Sequence, residues 1–199
     1  MQSKSLRNNF AENTQYSIYM KATGIVRRVD VLGRVVIPRE IRRILKIEEG
    51  DPLEIFTDRD EIILKKYSPI FNADGLADCV AASLSARTGH TAAVCDKDVF
   101  LSACGTGSKD FHAKNISKKL FKLLDGNKPL VVNHADGGEP ADLTDGENYG
   151  FFNELVMPIA TNKEVIGGII LADKSKDMPI TSVDIQLAAL SADFIAAHF

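Results

Sequence analysis

No apolar run in this 199-residue sequence approaches the roughly 18 residues a membrane-spanning helix needs, so no membrane span is expected. The opening MQSKSLRNNF has no continuous apolar segment and no small-residue cleavage site, so no secretory signal is expected either. Cysteine is scarce. Cys79, Cys95 and Cys104 are odd in number and never spaced C-x-x-C, which argues against a disulfide scaffold or a thiol metal pair. They read as buried or half-buried thiols in a reducing cytoplasm.

Local catalytic and cofactor motifs are also missing. His90, His112, His134 and His198 lie too far apart for a local metal motif, so no metal is expected. The run from Gly105 through Gly107 to Lys109 lacks the spacing of a phosphate loop and the later glycine of a dinucleotide loop. It reads as a turn, with Ser108 capping the next helix. Asp136, Glu139, Asp142, Asp145 and Glu147 do not keep the order of a calcium-binding helix–loop–helix. They read as a solvated loop, or as a lid over a pocket. There is no GxSxG and no paired catalytic carboxylate, and Cys104 and His112 are close only in sequence. The chain reads as a non-enzyme with no cofactor.

What is present is an ordinary globular composition, 45% hydrophobic and 26% charged, enough for one domain or two small ones. The net charge of −3 conceals a segregation. Residues 20–46 carry eight bases against Asp30 and Glu40, or +6, whereas residues 47–64 carry seven acids against Arg59, or −6. Residues 70–199 hold 17 acids and 11 bases, again −6. A basic block inside an acidic chain identifies a partner better than the total does.

Residues 1–19 lack any helical or strand period and read as a flexible N-terminal extension; a natural start at Met20 is the alternative. Residues 20–67 read as a small unit. Strands are expected over 23–29 and 34–37 around a turn at Leu32 and Gly33, then a short helix over 39–46 entered through Pro38. A hairpin follows, with strands over 53–57 and 61–65. So small a core is expected to dimerise and to complete a barrel or sandwich by sharing strands. Pro69 marks a stiff boundary, so 68–75 reads as a linker.

Residues 76–199 read as an α+β domain. The periodicity predicts helices over 72–88, 109–124 and 180–199. On the first, Leu76, Cys79, Val80, Ser83 and Leu84 share a face; the second presents Phe111, Leu120, Phe121 and Leu124. Strands are expected over 90–96, 99–104, 129–133, 151–159 and 165–172, with Thr161-Asn162-Lys163 turning between the last two.

On a helix over 39–46, Arg39, Arg42, Arg43 and Lys46 fall within about a 100° arc, opposite Ile41, Ile44 and Leu45. Arg27, Arg28 and Arg34 extend the cluster from the adjoining strands. Arginine's planar fork suits phosphate and guanine. The cluster is almost wholly arginine and its acids lie in the following hairpin, not at i+4. A solvated charged face remains the alternative on physical grounds alone.

The runs MKATGIVRRVD (20–30), LGRVVIPREIRR (32–43), GDPLEI (50–55) and IILKKY (62–67) resemble the AbrB family of bacterial transition-state regulators. The resemblance implies a swapped-hairpin β-barrel dimer that binds double-stranded DNA. It places DNA-contacting arginines at Arg27, Arg34, Arg42 and Arg43, with Arg28 at a basic position beside them. The helix offers no Asn or Gln, so DNA shape and flexibility are expected to matter, with A·T-rich sites preferred. An AbrB-like module ahead of an α+β domain resembles a family of two-domain sporulation regulators whose C-terminal half is a GAF domain. That resemblance implies tetramers, regulation of sporulation genes and a GAF-like oligomerisation or sensor domain with an unknown small-molecule ligand. A cytoplasmic, nucleoid-associated location follows.

The last helix adds its own sign of assembly. Ile180, Val183, Leu187, Leu190, Phe194 and Ala197 form one apolar stripe, and Ile185, Ala188, Ala192, Ile195 and Phe199 a second. One is expected to cover the sheet and the other to meet partner helices, as in a four-helix bundle. Burial of both within one domain is the alternative. Two other readings of the whole chain stand beside the regulator: an antitoxin-like interaction protein, and an enzyme hidden in the second domain.

Overall fold

The computed structural model describes residues 23–112, 114–146, 149–162 and 164–199. The extension expected over 1–19 lies outside them, as do Lys163 in the expected turn and Glu147 in the acidic loop. The chain divides between Asp51 and Pro52 into two units.

In the first unit, residues 23–38 carry no ladder, so the strands expected over 23–29 and 34–37 are not formed within one chain. The β-branched residues are there, but a ladder needs a partner strand. Val26, Val29, Val35 and Val36 are all exposed. The turn between the segments does form. Gly33 takes φ of 78°, a conformation glycine reaches without steric cost, and its N–H donates to the Asp30 carbonyl at 3.0 Å. Helix α1 spans Arg39–Ile44 and buries no residue. It is shorter than expected because Lys46 takes a left-handed φ of 52° and leaves the helix.

The second unit opens with a hairpin, β1 (Leu53–Asp58) and β2 (Glu61–Lys66), in register from Leu53↔Lys66 to Asp58↔Glu61. A five-stranded antiparallel sheet follows: β3 (Thr91–Cys95), β4 (Phe100–Cys104), β5 (Leu130–Val132), β6 (Asn153–Ala160) and β7 (Val165–Asp173). Its order is β4-β3-β7-β6-β5. Helices α2 (Pro69–Asn72), α3 (Leu76–Thr88), α4 (Lys118–Asp125) and α5 (Ser182–Ala196) complete the unit.

Both faces of the sheet are covered, which is why β6 and β7 read as near-continuous apolar runs. On one face Leu155, Ile159, Ile169 and Leu171 pack with Val80 and Leu84 of α3 and Ala188, Ala192 and Ile195 of α5. On the other, Val156 and Ile170 pack with Leu120 and Leu124 of α4 and with Phe100, Phe111 and Phe151. This is the expected α+β arrangement.

Several details depart from the periodicity. The helix expected over 109–124 is instead a 3-10 turn at Ser108–Asp110 followed by α4. Ser117 caps α4 by accepting from Leu120 N–H at 2.9 Å. Phe111 joins an aromatic cluster 4.8 Å from Phe100 and 5.4 Å from Phe151. Stacking in the core thus outweighs continuation of the helix. The helix expected over 72–88 begins only at Leu76, as α3, and the short α2 forms ahead of it where a linker was expected. The buried face of α3 is Ala77, Val80, Ala81 and Leu84, whereas Cys79 and Ser83 are exposed. Cys79 is therefore no buried thiol, while Cys95 is buried and Cys104 half-buried. The acidic loop is not wholly solvated. Ala141 and Leu143 enter the core, Thr144 pairs with Ile116, and the Ser117 hydroxyl donates to the Asp142 carbonyl.

Candidate nucleic-acid interface

Arg27, Arg28, Arg34, Arg42 and Arg43 all belong to the first unit and are all exposed. Arg27 and Arg28 precede the turn, Arg34 follows it, and Arg42 and Arg43 occupy the last turn of α1. Cations there interact favourably with the carbonyl end of the helix. Pro38 fixes the helix entry, and the Arg42 N–H donates to the Pro38 carbonyl at 3.0 Å. The Ile47 N–H donates to the Arg42 carbonyl at 2.8 Å and closes the other end. Lys46, expected in the same arc, lies beyond the helix.

The residue that composition undervalued is Asp30, which counted only as an opposing charge. One carboxylate oxygen accepts from the N–H groups of Leu32 at 2.9 Å and Arg34 at 2.8 Å. The other accepts from Arg34 Nε at 2.7 Å. Asp30 N–H in turn donates to the Arg34 carbonyl at 3.0 Å. The carboxyl is held below its ordinary range, first by the Arg34 backbone N–H and then by its side chain. Asp30 thus fixes both the turn and the start of the Arg34 side chain. The readable signal was an aspartate three residues before a turn glycine and four before an arginine.

Each unit leaves apolar residues open. Ile44 and Leu45 of the first unit are 70% and 53% exposed, and Ile55 and Ile62 of the hairpin are 66% and 74% exposed. Among the described residues, no group of three or more His, Cys, Asp or Glu could hold a metal ion. Among them, too, no helix is long and apolar enough to cross a membrane.

Residues 74–199 match the family model described as stage V sporulation protein T C-terminal, transcription factor. Residues 26–71 match the model described as antidote-toxin recognition MazE, bacterial antitoxin. Stage V sporulation protein T of Bacillus subtilis (strain 168) is 43% identical over 178 residues, covering 89% of this chain and 97% of that protein. The transition state regulatory protein AbrB of the same organism is 65% identical over 52 residues, 26% of this chain and 54% of that protein. Among solved structures, the N-domain of the transcription factor abrB is 67% identical, covering 26% of this chain and 98% of that one, with a TM-score of 0.24. The GAF-B domain of DevS from Mycobacterium smegmatis is 18% identical, covering 61% and 88%, with a TM-score of 0.47.

An AbrB-like module ahead of an α+β domain that matches a transcription-factor family model defines a DNA-binding transcription regulator. More closely, the chain belongs to the stage V sporulation protein T family. Its relatives are transcription regulators rather than enzymes.

Proposed function

We propose that Arg27, Arg28, Arg34, Arg42 and Arg43 contact the DNA, with two chains sharing hairpins so that the cluster is presented twice. The observation that carries this is that all five arginines are exposed, with Arg34 held beside a turn that Asp30 fixes. Dimerisation would cover Ile55 and Ile62, which one chain leaves open. Two dimers would join through α5, whose Val183, Leu190 and Phe194 are 59%, 67% and 62% exposed while Ala188, Ala192 and Ile195 cover the sheet. Tethering two weak DNA contacts raises overall affinity through effective concentration.

The preferred targets are bendable A·T-rich sites, and the relative's name points to sporulation genes. A small molecule bound by the GAF-like domain would act by favouring one arrangement of the two DNA-binding dimers. The regulator works in the cytoplasm, associated with the nucleoid. The antitoxin reading draws support from the match over residues 26–71. It is disfavoured because toxin-binding tails are extended, whereas here the corresponding region is a packed sheet with helices on both faces.

The test is fluorescence anisotropy on an A·T-rich duplex over a salt series. If Arg27, Arg34, Arg42 and Arg43 of both chains neutralise phosphates, log K falls against log salt with a slope of up to about −7. Arg42→Ala/Arg43→Ala is expected to weaken binding and flatten the slope by about 3–4. Equal slopes for the variant and the wild type would remove those arginines from the interface.

A further inference from the structure

We propose that Glu154 anchors a small-molecule site beneath the loop 136–145, and that its ligand is a small organic cation carrying N–H donors. The inference deepens, and rests on, the reading above that the C-terminal domain binds a small molecule.

Glu154 sits on β6 between Val132 of β5 and Ala172 of β7. Leu155 beside it packs toward α3 and α5, whereas Val156 packs toward α4. Side chains alternate along a strand, so Glu154 shares the face of Val156. The loop inserts Ala141 and Leu143 into the core on that same face. The Ala141 N–H donates to Glu154 Oε2 at 2.8 Å. Glu154 Oε1 is buried and has no hydrogen-bond partner among the described residues. Asp110 Oδ2 also lacks a hydrogen bond, but Lys174 Nζ lies 2.6 Å from it and neutralises it. Glu154 Oε1 is therefore the one buried carboxylate oxygen, among the described residues, that nothing satisfies.

An unsatisfied carboxylate oxygen at 1% exposure costs stability. A glutamine would offer Ala141 the same acceptor without a charge to bury. A carboxylate has a rationale there when a donor arrives from outside. Charge fixes the class of that donor. Residues 129–162 hold six acids and no lysine or arginine. Asp136, Glu139, Asp142 and Asp145 are exposed along the loop, a field that attracts a cation and opposes an anion. Lys119 of α4 and Asp142 of the loop are the charged groups that act on Glu154, with opposite signs. Both are exposed, so solvent screens them. Among the described residues no group of three ligating side chains could hold a metal ion, which leaves an organic cation. Its N–H would complete Oε1 with a charge-assisted hydrogen bond. The loop closes over Glu154 in this structure, so the ligand is small and Ala141 gives way to admit it.

The test uses the full-length protein and three probes of one shape, acetamidinium, acetamide and acetate, at constant ionic strength. Saturation-transfer NMR titrations give the affinities. Acetamidinium is expected to bind at least tenfold more tightly than acetamide, with acetate weakest. Glu154→Gln is expected to lose at least tenfold for acetamidinium and to bind acetamide within twofold of the wild type. Burial holds the Glu154 carboxyl up at about 7, so its ionised fraction grows about thirtyfold between pH 5.5 and pH 8. Acetamidinium affinity should rise more than tenfold over that range in the wild type and stay flat in the variant. Titration of His134 and the loop acids is common to both proteins.

Acetamidinium that binds the variant as tightly as the wild type, acetate that binds as well as acetamidinium, or no saturable acetamidinium binding up to about 50 mM would each overturn the proposal. Should the variant fail to fold, the order of the probes and the wild-type pH profile still decide. A probe that binds equally well without Glu154 removes the anchor and leaves the small-molecule reading standing. Binding by none of the probes leaves water as the partner of Oε1 and removes the site.

Discussion

Glu154 offers a test of the C-terminal domain's energetics that is independent of DNA. It lies on β6, paired in register with Val132 of β5 and Ala172 of β7, and is 1% exposed. One carboxylate oxygen accepts from Ala141 N–H at 2.8 Å, and the other is buried without a hydrogen-bond partner among the described residues. Burial pushes the carboxyl up to about 7 from 4.5, with Asp142 adding to the rise and the Ala141 N–H and Lys119 opposing it. A carboxyl raised in the folded state gives stability that is fully present below the unfolded value and is lost as pH climbs through the folded one. The window therefore runs from about pH 4.5 to 7, and the whole effect is about 3 kcal/mol. About 2–3 kcal/mol of it falls between pH 5 and pH 8. Glu154→Gln keeps an oxygen for Ala141 and cannot ionise. Urea unfolding at fixed protein concentration, run from pH 5 to 8 on both proteins, isolates this group because other titrations cancel in the difference. The variant is expected to gain on the wild type steadily as pH rises. A difference that stays constant, or that shrinks toward pH 8, would refute the assignment.

Two other substitutions probe the assembly and the turn. Leu190→Asp/Phe194→Asp removes about 1–2 kcal/mol of burial per side chain from any α5 bundle. Light scattering should show tetramers reduced to dimers, with thermal unfolding of the domain little changed because both residues are exposed within the chain. An intact tetramer would exclude α5 as the junction. Asp30→Ala deletes the acceptor of three hydrogen bonds that fix the turn and the start of the Arg34 side chain. DNA affinity should fall severalfold by anisotropy although the chain becomes more positive; tighter binding would show that charge alone governs the interface.

How far the sequence could be read depended on whether a segment's partners lay in the same chain. The C-terminal helix showed two stripes, and the stripe through Ala188, Ala192 and Ile195 does cover the sheet while Leu190 and Phe194 stay open. The β6–β7 pair was legible because its apolar runs are backed on both faces. Residues 23–37 have the composition of strands but form no ladder with any described residue, so local propensity named a conformation that the described residues do not complete. Phe111 misled for the opposite reason: its partners Phe100 and Phe151 are distant in sequence, and a helical period could not foresee the stack. Glu154 gave no sign, since burial of a lone carboxylate depends on the loop that carries Ala141 folding over it. The arginine cluster could be found from charge segregation alone. Asp30, which organises its central member, was hidden within the same count.

The charge pattern and the packing pattern also divide the work between the regions. Arginines that meet a polyanion gain from exposure, so the first unit can be thin and nearly coreless, leaving Ile44 and Leu45 to whatever a second copy supplies. Such a module has little of its own with which to fix a geometry. The acidic second unit, by contrast, carries a double-faced core, and its charge disfavours a polyanion.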